Sequence, residues 1–489
     1  MSVPFYNLLF NLEVDPEAAE PLYLQVAGRI AEVIRGGRLQ PGAPMPGTRT
    51  LAKALGISRN AAIAAYGELH DQGWIVTEVG FGTRVALSLP DFAGDRGRGW
   101  RDPARTGSGR ISTCGFELST PWAAALTKPA PVRVDLQDPD PDPRLFPEEE
   151  LARALRRAAA LCFGRARRPR DPAGPREVRA ALAEFLAERR ALPTDPDSLV
   201  LVAGTQDALS LAVRHLFPSG SAIAVEDPGN PRAWAALHLA GAQPVPVPVD
   251  ADGILPEALE DVCIAQRPRA LYLTPNQQWP TAAILSPERR AAVLELAGRY
   301  RMAILEDDHG AELYYEERDW RPLAADDRRA VVLHLGSFER LVGPAFALGY
   351  VTGPKEALAA LVRARAEEGG GDLDLLAWAL RDMQLDGLLL RQVRKARTAY
   401  RQRRDQAHEG LGAIPGLRPQ LPASGLGLWI EGDDLESWRK GADAVGIALR
   451  PASHWALSPD GPRGLLFPFG RLDEAELKDV LELLRRVRK

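Results

Sequence analysis

The stretch Ser198-Leu-Val-Leu-Val-Ala-Gly-Thr-Gln-Asp-Ala-Leu209 joins a short apolar run to a glycine and then to the start of a helix. Similar apolar runs alternate with amphipathic segments further along the chain; they are Ala222–Val225, Arg269–Thr274, Met302–Glu306 and Ala330–His334. Short apolar runs between helices are typical of a mostly parallel sheet. The sequence therefore predicts an α/β domain over residues 114–489, divided into a large part at about 140–375 and a small part at about 376–489.

Residues 10–88 have a different organisation, with compact helical patterns followed by a glycine-rich hairpin. Apolar residues at helical spacing begin at Leu22, and Thr48 and Ser58 are each in a position to cap a further helix. The segment Gly73–Val85 is typical of two strands joined by a turn. The three predicted helices are Leu22–Ile34, Arg49–Leu55 and Arg59–Gln72. This order predicts a winged helix-turn-helix domain.

Residues 89–113 are rich in Gly, Pro, Asp and Arg without apolar periodicity, which predicts a flexible linker between the two domains.

Charge, cysteine content and hydropathy exclude several classes of protein. The net charge of −4 excludes a uniformly basic nucleic-acid binder, yet residues 26–64 hold six basic residues and one acidic residue. The three cysteines lie far apart and form neither a disulfide framework nor a metal-binding motif. With no apolar membrane span or secretory signal, we expect a cytoplasmic protein that binds no metal.

The predicted DNA-binding residues follow from the winged-helix geometry. The first turn of a recognition helix faces base edges, where Arg59 can bind guanine and Asn60 can reach phosphates or bases. Arg49 is expected across the phosphate backbone, and small residues at the wing tip, Gly80–Arg84, allow close phosphate approach. The predicted set is Arg49, Ser58, Arg59, Asn60, Tyr66, Gly82, Thr83 and Arg84. The alternative for each arginine alone is a solvated helix charge.

The order and spacing of residues from Leu39-Gln-Pro-Gly42 to Gly80-Phe-Gly-Thr83 resemble the winged-helix domain of the GntR regulators. The resemblance covers about 65 residues. It departs from the family pattern at Ala61, where a small hydroxylated residue is usual, and at Ala64, where a basic residue is frequent. These departures predict DNA binding that is weaker than usual or differs in specificity.

Residues from about 116 onwards resemble a fold-type I, pyridoxal-phosphate-dependent aminotransferase, and the landmarks occur in family order. They are Leu145–Pro147, Asp171–Gly174, Gly204–Leu209, Val225–Pro231, Thr274–Thr281, Glu306–His309 and Gly336–Tyr350. A winged helix, a linker and this domain in one chain are the arrangement of the MocR subfamily of GntR regulators. The resemblance implies a homodimer.

The cofactor site implied by this resemblance has several unusual residues. Arg340 stands where the family has the lysine that holds pyridoxal phosphate as a Schiff base, and Glu339 stands beside it in place of serine. An arginine cannot form that aldimine because its guanidinium stays protonated. Ala347 replaces a phosphate-binding arginine, and Asn230 replaces an aromatic residue that stacks on the cofactor. Further departures are Ala282 for a glycine, His309 for a tyrosine and Leu466 for a substrate-binding arginine, with Arg463 and Arg471 nearby.

Other parts of the implied site are retained. Asp307 stands where the family places the partner of the pyridine nitrogen, with Asp308 as the alternative register. Gly204, Thr205 and Gln206 keep a helix N-terminus that can bind an anion. The simpler interpretations are a strand-end carboxylate at Asp307, a helix cap at Thr205 and a core histidine at His309.

Two interpretations of Arg340 stay open at this stage. It either pairs with Glu339 or Asp307 and so replaces the cofactor, or it binds an anionic effector. We expect no catalytic residue. The predicted pocket residues are Thr205, Gln206, Asn230, Gln278, Asp307, His309, Glu339 and Arg340.

The sequence therefore predicts a regulator that binds double-stranded DNA and uses its aminotransferase-like domain for dimerisation and for sensing an unknown small-molecule effector. We expect no cofactor, since pyridoxal phosphate is implied by the resemblance alone. The alternatives are a regulator that binds pyridoxal phosphate noncovalently, an active aminotransferase, and a purely structural dimerisation domain.

Overall fold

The computed structural model describes residues 20–35, 39–78, 82–87, 89, 133–164, 171–310, 312–343, 345–369, 373–459 and 464–487. The chain divides into two compact units, Met1–Leu118 and Ser119–Lys489. Apart from Leu89, the predicted linker lies outside the described residues, so it stays a prediction. Within the described ranges, no helix is both long and apolar enough to cross a membrane.

The smaller unit is a winged helix, as predicted. Its elements are α1 Leu22–Arg35, α2 Thr48–Leu55, α3 Arg59–Asp71, β1 Ile75–Glu78 and β2 Gly82–Val85. The two strands pair antiparallel, from Ile75 opposite Val85 to Glu78 opposite Gly82. Buried Ile30, Leu51 and Leu69 bring the three helices into one core.

The two predicted helix caps of this unit differ in outcome. The Ser58 side chain accepts a hydrogen bond from the backbone N–H of Ala61 at 3.1 Å, which confirms it as the cap of α3. The prediction for Thr48 was wrong, because Gly47 occupies the cap position of α2 without a side-chain bond and Thr48 is already helical.

The larger unit is built on an eight-stranded sheet. Its strands are β4 Leu199–Val202, β5 Ala222–Asp227, β6 Gln243–Asp250, β7 Gly253–Ile254, β8 Ala270–Leu273, β9 Ala303–Asp307, β10 Val332–Ser337 and β11 Gly349–Thr352. Their order across the sheet is β4-β11-β10-β9-β8-β5-β6-β7. The neighbouring pairs from β10 through β6 are parallel, whereas β11 and β7 run against their neighbours. This is the mostly parallel sheet that the apolar runs predict.

Helices cover both faces of this sheet, which explains why its strands are apolar on both sides. On one face, Tyr272 and Leu305 pack with helix residues such as Leu209, whereas on the other Leu271 and Ile304 pack with Val293. These helices are α6 Thr205–Leu216, α7 Pro231–Leu239, α8 Pro256–Gln266, α9 Pro287–Tyr300 and α11 Lys355–Glu368.

The larger unit also contains two smaller sheets and further helices. A three-stranded antiparallel sheet has the order β12-β13-β15, and β14 pairs in parallel with β3 from before the large sheet. The strands are β3 Val134–Leu136, β12 Leu417–Pro419, β13 Gly427–Gly432, β14 Ile447–Leu449 and β15 Leu465–Pro468. The helices are α4 Glu148–Gly164, α5 Arg176–Arg190, α10 Glu339–Val342, α12 Asp374–Leu385, α13 Leu388–Gly412, α14 Leu435–Ala444 and α15 Glu474–Arg485.

Candidate functional site

The start of α3 presents polar side chains on the surface of the smaller unit. Arg59 and Asn60 are exposed in the first turn, and Ser58 fixes that turn through its cap. Arg49 is exposed on α2. The capped helix therefore holds its first turn in a defined position and leaves the longer polar side chains free to reach a ligand.

Three other predicted DNA-binding residues have structural partners. Tyr66 is buried, contrary to a surface role, and its hydroxyl donates to the carbonyl oxygen of Pro46 at 2.7 Å. Arg84 is half-buried and donates through Nη1 to the carbonyl oxygen of Gly42 at 3.1 Å. The hydroxyl of Thr83, on β2, lies 3.3 Å from that of Thr77 on β1. These residues shape the domain.

Of the predicted wing tip, only part is described. Gly82 is exposed and has a positive φ of 84°, which a glycine adopts without strain. Residues 79–81 lie outside the described residues.

In the larger unit, a cavity of about 370 Å³ lies at the carboxyl ends of the parallel strands. This edge is where ligands bind in open α/β sheets. The lining residues include Thr205 after β4, Asp307 at the end of β9 and Ser337 at the end of β10. Seven of the predicted pocket residues line it: Thr205, Gln206, Asn230, Asp307, His309, Glu339 and Arg340.

The eighth, Gln278, does not line the cavity, contrary to expectation. Its side chain is buried and donates through Nε2 to the carbonyl oxygen of Pro228 at 2.7 Å. Its Oε1 accepts a hydrogen bond from the Thr281 hydroxyl at 2.6 Å. Gln278 therefore holds two loops together.

Asp307 lines the cavity, and one of its carboxylate oxygens accepts no hydrogen bond from the described residues. Its Oδ2 accepts a hydrogen bond from the Tyr272 hydroxyl at 2.7 Å, whereas Oδ1 lies 3.8 Å from Nδ1 of His309. Burial raises the pKa of this carboxyl to about 6, against the opposing effects of Tyr272 and Arg340. Asp308 instead forms a buried ion pair with Arg190. Asp307 therefore lines the cavity, whereas Asp308 does not.

His309 is a neutral side chain in the cavity wall. Burial and the neighbouring Arg340 lower its pKa to about 3. Its ring meets the Trp279 ring edge-on, with 5.3 Å between centroids. Neither ring nitrogen has a hydrogen-bond partner within the described part of the chain.

Arg340 lies over the Trp279 ring, with its guanidinium carbon 5.2 Å from the ring centroid. Burial lowers the pKa of the guanidinium, although Asp307 opposes the shift. The proposed pairing with Glu339 or Asp307 is not formed at Nη1, because this buried atom has no partner among the residues described. The open possibility is a partner from outside the chain.

Glu339 brings its carboxylate to the start of α6. Gly204 caps this helix with a positive φ of 87°, and a Cβ at that position would overlap Oε1 of Glu339. Burial raises the pKa of Glu339, while Arg340 and Arg232 act against the rise. Thr205 is the first helical residue and makes no cap bond, so the helix-cap interpretation was wrong.

Several lining residues were missed by sequence reasoning. Asp138 accepts hydrogen bonds from Arg232 at 3.1 Å and from Arg450 at 3.3 Å, so it holds both arginines at the cavity. His454 and Trp455 complete this wall from a short turn after β14. A usable signal was the polar and aromatic run Arg450-Pro-Ala-Ser-His-Trp455 after an apolar strand.

The expected substrate-binding position has no free cation among the described residues. Leu466 is buried in β15 and packs with Trp429 and Trp455. Arg471 lies 3.6 Å from the carboxylate of Asp140. Arg463 lies outside the described residues.

The fold is shared with solved aminotransferases. An α-aminoadipate aminotransferase from Thermus thermophilus is 25% identical, with a TM-score of 0.64 over 72% of this chain and 91% of that one. An archaeal alanine:glyoxylate aminotransferase gives a TM-score of 0.66 at 23% identity, over 72% of this chain and 90% of that one. Residues 140–482 match the aminotransferase class I and II family, and residues 22–85 match the bacterial regulatory proteins of the gntR family. The molecule thus joins a GntR-type winged helix to a fold-type I aminotransferase domain.

Two curated relatives match most of the chain. The probable rhizopine catabolism regulatory protein MocR of Rhizobium meliloti is 29% identical over 97% of this chain and 95% of its own. The HTH-type transcriptional regulator TauR of Rhodobacter capsulatus is 31% identical over 86% of this chain and 87% of its own. The chain belongs to the MocR subfamily of GntR-type regulators.

The cavity residues do not fit a covalently held pyridoxal phosphate. The free Oδ1 of Asp307 would suit a pyridine nitrogen, but Arg340 offers no amine that can form a Schiff base. The carboxylate of Glu339 already lies at the helix start that would receive the phosphate, where it would repel a second anion.

Proposed function

We propose that this protein is a cytoplasmic transcriptional regulator that binds double-stranded DNA as a homodimer and senses a small effector in the cavity of its larger unit. The observation that carries the DNA-binding part is the exposed first turn of α3, where Arg59 and Asn60 follow the capping Ser58. Arginine and asparagine at this position are suited to reading base edges in the major groove.

The DNA-binding proposal is tested with duplexes selected from a random-sequence pool by the full-length protein. Fluorescence anisotropy then measures the affinity of the wild type and of Arg59→Ala. We expect the variant to bind about 5–150-fold more weakly, since one bidentate base contact contributes about 1–3 kcal/mol.

Arg29→Ala is the matched control, because Arg29 is an exposed α1 arginine that pairs with Glu32 at 3.1 Å. It removes the same charge away from α3. An equal loss of affinity in both variants would show only a general electrostatic effect, and no selected duplex at all would refute the proposal.

We propose that the larger unit senses a small effector and has no transaminase activity. Arg340 carries this part, because a guanidinium at the cavity cannot form an aldimine. The test is to incubate the protein with pyridoxal phosphate, reduce it with borohydride, desalt it and record its absorbance. A reduced adduct on one specific lysine would revive the enzyme interpretation. Cofactor that is retained after desalting without an adduct would favour noncovalent binding, a second candidate that Oδ1 of Asp307 supports because it accepts no hydrogen bond within the described residues.

The homodimer is proposed on the arrangement of the family. Size-exclusion chromatography with light scattering gives the mass in solution, to be compared with 53.2 kDa for one chain. A monomer that still binds selected DNA would separate DNA binding from dimerisation.

A further inference from the structure

The start of α6 already carries an anion from the chain itself. The N-terminus of a helix attracts negative charge because its first N–H groups have no intrahelical acceptors. In this protein the Glu339 carboxylate lies against Gly204 at that end. A phosphorylated ligand would have to displace this carboxylate or accept its repulsion.

The cavity wall holds buried polar atoms that have no partner among the described residues. The donors are Arg340 Nη1, Arg450 Nε, Trp279 Nε1 and Trp455 Nε1. The acceptor is Asp307 Oδ1, and neutral His309 supplies one donor and one acceptor. Each such atom, left unsatisfied, costs on the order of 1–3 kcal/mol. Among these buried atoms donors outnumber acceptors, so this part of the wall is complementary to a ligand with several acceptor oxygens and few donors.

The shape of the wall further restricts the ligand. Trp279 has the Trp455 ring 6.3 Å away on one side and the edge of His309 on another. Arg340 lies over the same indole. Aromatic walls favour a planar ligand that can stack offset or edge-on. A cavity of about 370 Å³ is at the small end of the range for ligand sites.

We propose that this cavity binds a small planar carboxylate that has no phosphate group and carries one hydroxyl or N–H donor, such as a hydroxybenzoate. The ligand carboxylate would accept from the guanidinium of Arg340, and the ligand donor would bond Asp307. Glu339 acts as the built-in anion at α6 that excludes phosphorylated compounds. The inference rests on the proposed sensing function of the larger unit.

The test uses the full-length protein and isothermal titration calorimetry with 4-hydroxybenzoate, benzoate and pyridoxal phosphate. We expect 4-hydroxybenzoate to bind about tenfold more tightly than benzoate, since benzoate cannot donate to Asp307. Arg340→Gln is expected to weaken 4-hydroxybenzoate about tenfold or more.

A second variant tests the role of Glu339 directly. Glu339→Ser removes the carboxylate at α6 and is expected to raise the affinity for pyridoxal phosphate about tenfold or more. Glu431→Gln is the matched control, because Glu431 is an exposed acid that does not line the cavity. Glu431→Gln is expected to leave the affinities for 4-hydroxybenzoate and for pyridoxal phosphate unchanged.

Three results would overturn the inference: no binding of either benzoate, equal binding of both, or wild-type binding of pyridoxal phosphate as tight as in Glu339→Ser. Fluorescence anisotropy with the selected duplex is measured on the same preparations. It distinguishes a failure of the ligand inference from a failure of the proposed DNA-binding function. Intact DNA binding without carboxylate binding refutes only the ligand class. Loss of DNA binding by the wild type refutes the regulator itself.

Discussion

Replacing Asp308 with asparagine should destabilise the larger unit by roughly 3–5 kcal/mol. Asp308 and Arg190 form an ion pair in which each side chain is only 2% exposed. Burial alone would raise the pKa of Asp308, but Arg190 and His334 outweigh it and lower the pKa. Removing the carboxylate charge deprives the buried guanidinium of its paired acid and leaves Glu312 as the other acid that acts on it, and this loss is the origin of the penalty.

A double-mutant cycle separates that penalty from the strength of the pair. Arg190→Met alone should also be costly, because it leaves the Asp308 carboxylate buried. The double variant Arg190→Met/Asp308→Leu should recover much of the loss, since apolar replacements of a buried pair are often neutral. As a surface control, Asp386→Asn removes an exposed partner of Arg157 and should cost at most about 1 kcal/mol.

Urea unfolding followed by tryptophan fluorescence measures these free energies, and circular dichroism checks that both probes give one transition for the larger unit. Asp308 is the direct neighbour of Asp307 and His309, so its loss should also loosen the cavity wall. An Asp308→Asn variant no less stable than the surface control would refute the buried-charge argument.

Three further predictions concern smaller perturbations. Ser58→Ala removes the cap of α3 and should destabilise the winged helix by about 1 kcal/mol, measured by thermal unfolding of the full chain. Tyr66→Phe removes the bond to Pro46 and should cost about 0.5–1.5 kcal/mol with unchanged base preference in the anisotropy assay. Glu226 accepts two bonds from Thr274, and burial raises its pKa to about 8. Because the fold favours its neutral form, the stability that this group contributes falls progressively as the pH rises from about 4.5 to about 8. Urea unfolding at about pH 6 and pH 9 measures this effect. Between these two pH values, the free energy of unfolding of the wild type should fall by about 2–3 kcal/mol more than that of Glu226→Gln.

Much of the fold was predictable because local signals agree with the tertiary structure. The apolar run after Ser198 becomes β4, and the run after Arg269 becomes β8, each within one or two residues. These strands are buried on both faces, so their composition reports the sheet without any partner information. Thr48 failed as a cap because Gly47 can take the same extended backbone, and a cap preference cannot choose between adjacent residues.

The site was only partly predictable. Asp307 and Thr205 were found through the resemblance to aminotransferases, and the structure places them after β9 and β4, at the edge of the sheet where ligands bind. Arg232, Arg450 and Trp455 were missed because their approach to the cavity depends on packing between distant segments. Tyr66 and Gln278 were assigned to sites by position, but burial decides their role, and burial depends on tertiary packing.

Hydrogen bonds connect the part of the cavity wall that contains Trp455 to the large sheet. They provide a route by which ligand binding in the cavity can change the conformation of the larger unit. The Asp227 carboxylate, at the end of β5, accepts from the backbone N–H groups of Leu457 and Ser458 at 2.9 Å each. Gly229 donates from the next loop to the carbonyl oxygen of Trp455 at 2.9 Å. A ligand that accepted a hydrogen bond from the unpartnered Nε1 of Trp455 would therefore act on a segment that is hydrogen-bonded to the end of β5 and to the loop after it. It can shift an equilibrium between two conformations only by the difference in its affinity for them. The unpartnered atoms of this wall are where such a difference can arise, because a rearranged wall would no longer satisfy them together.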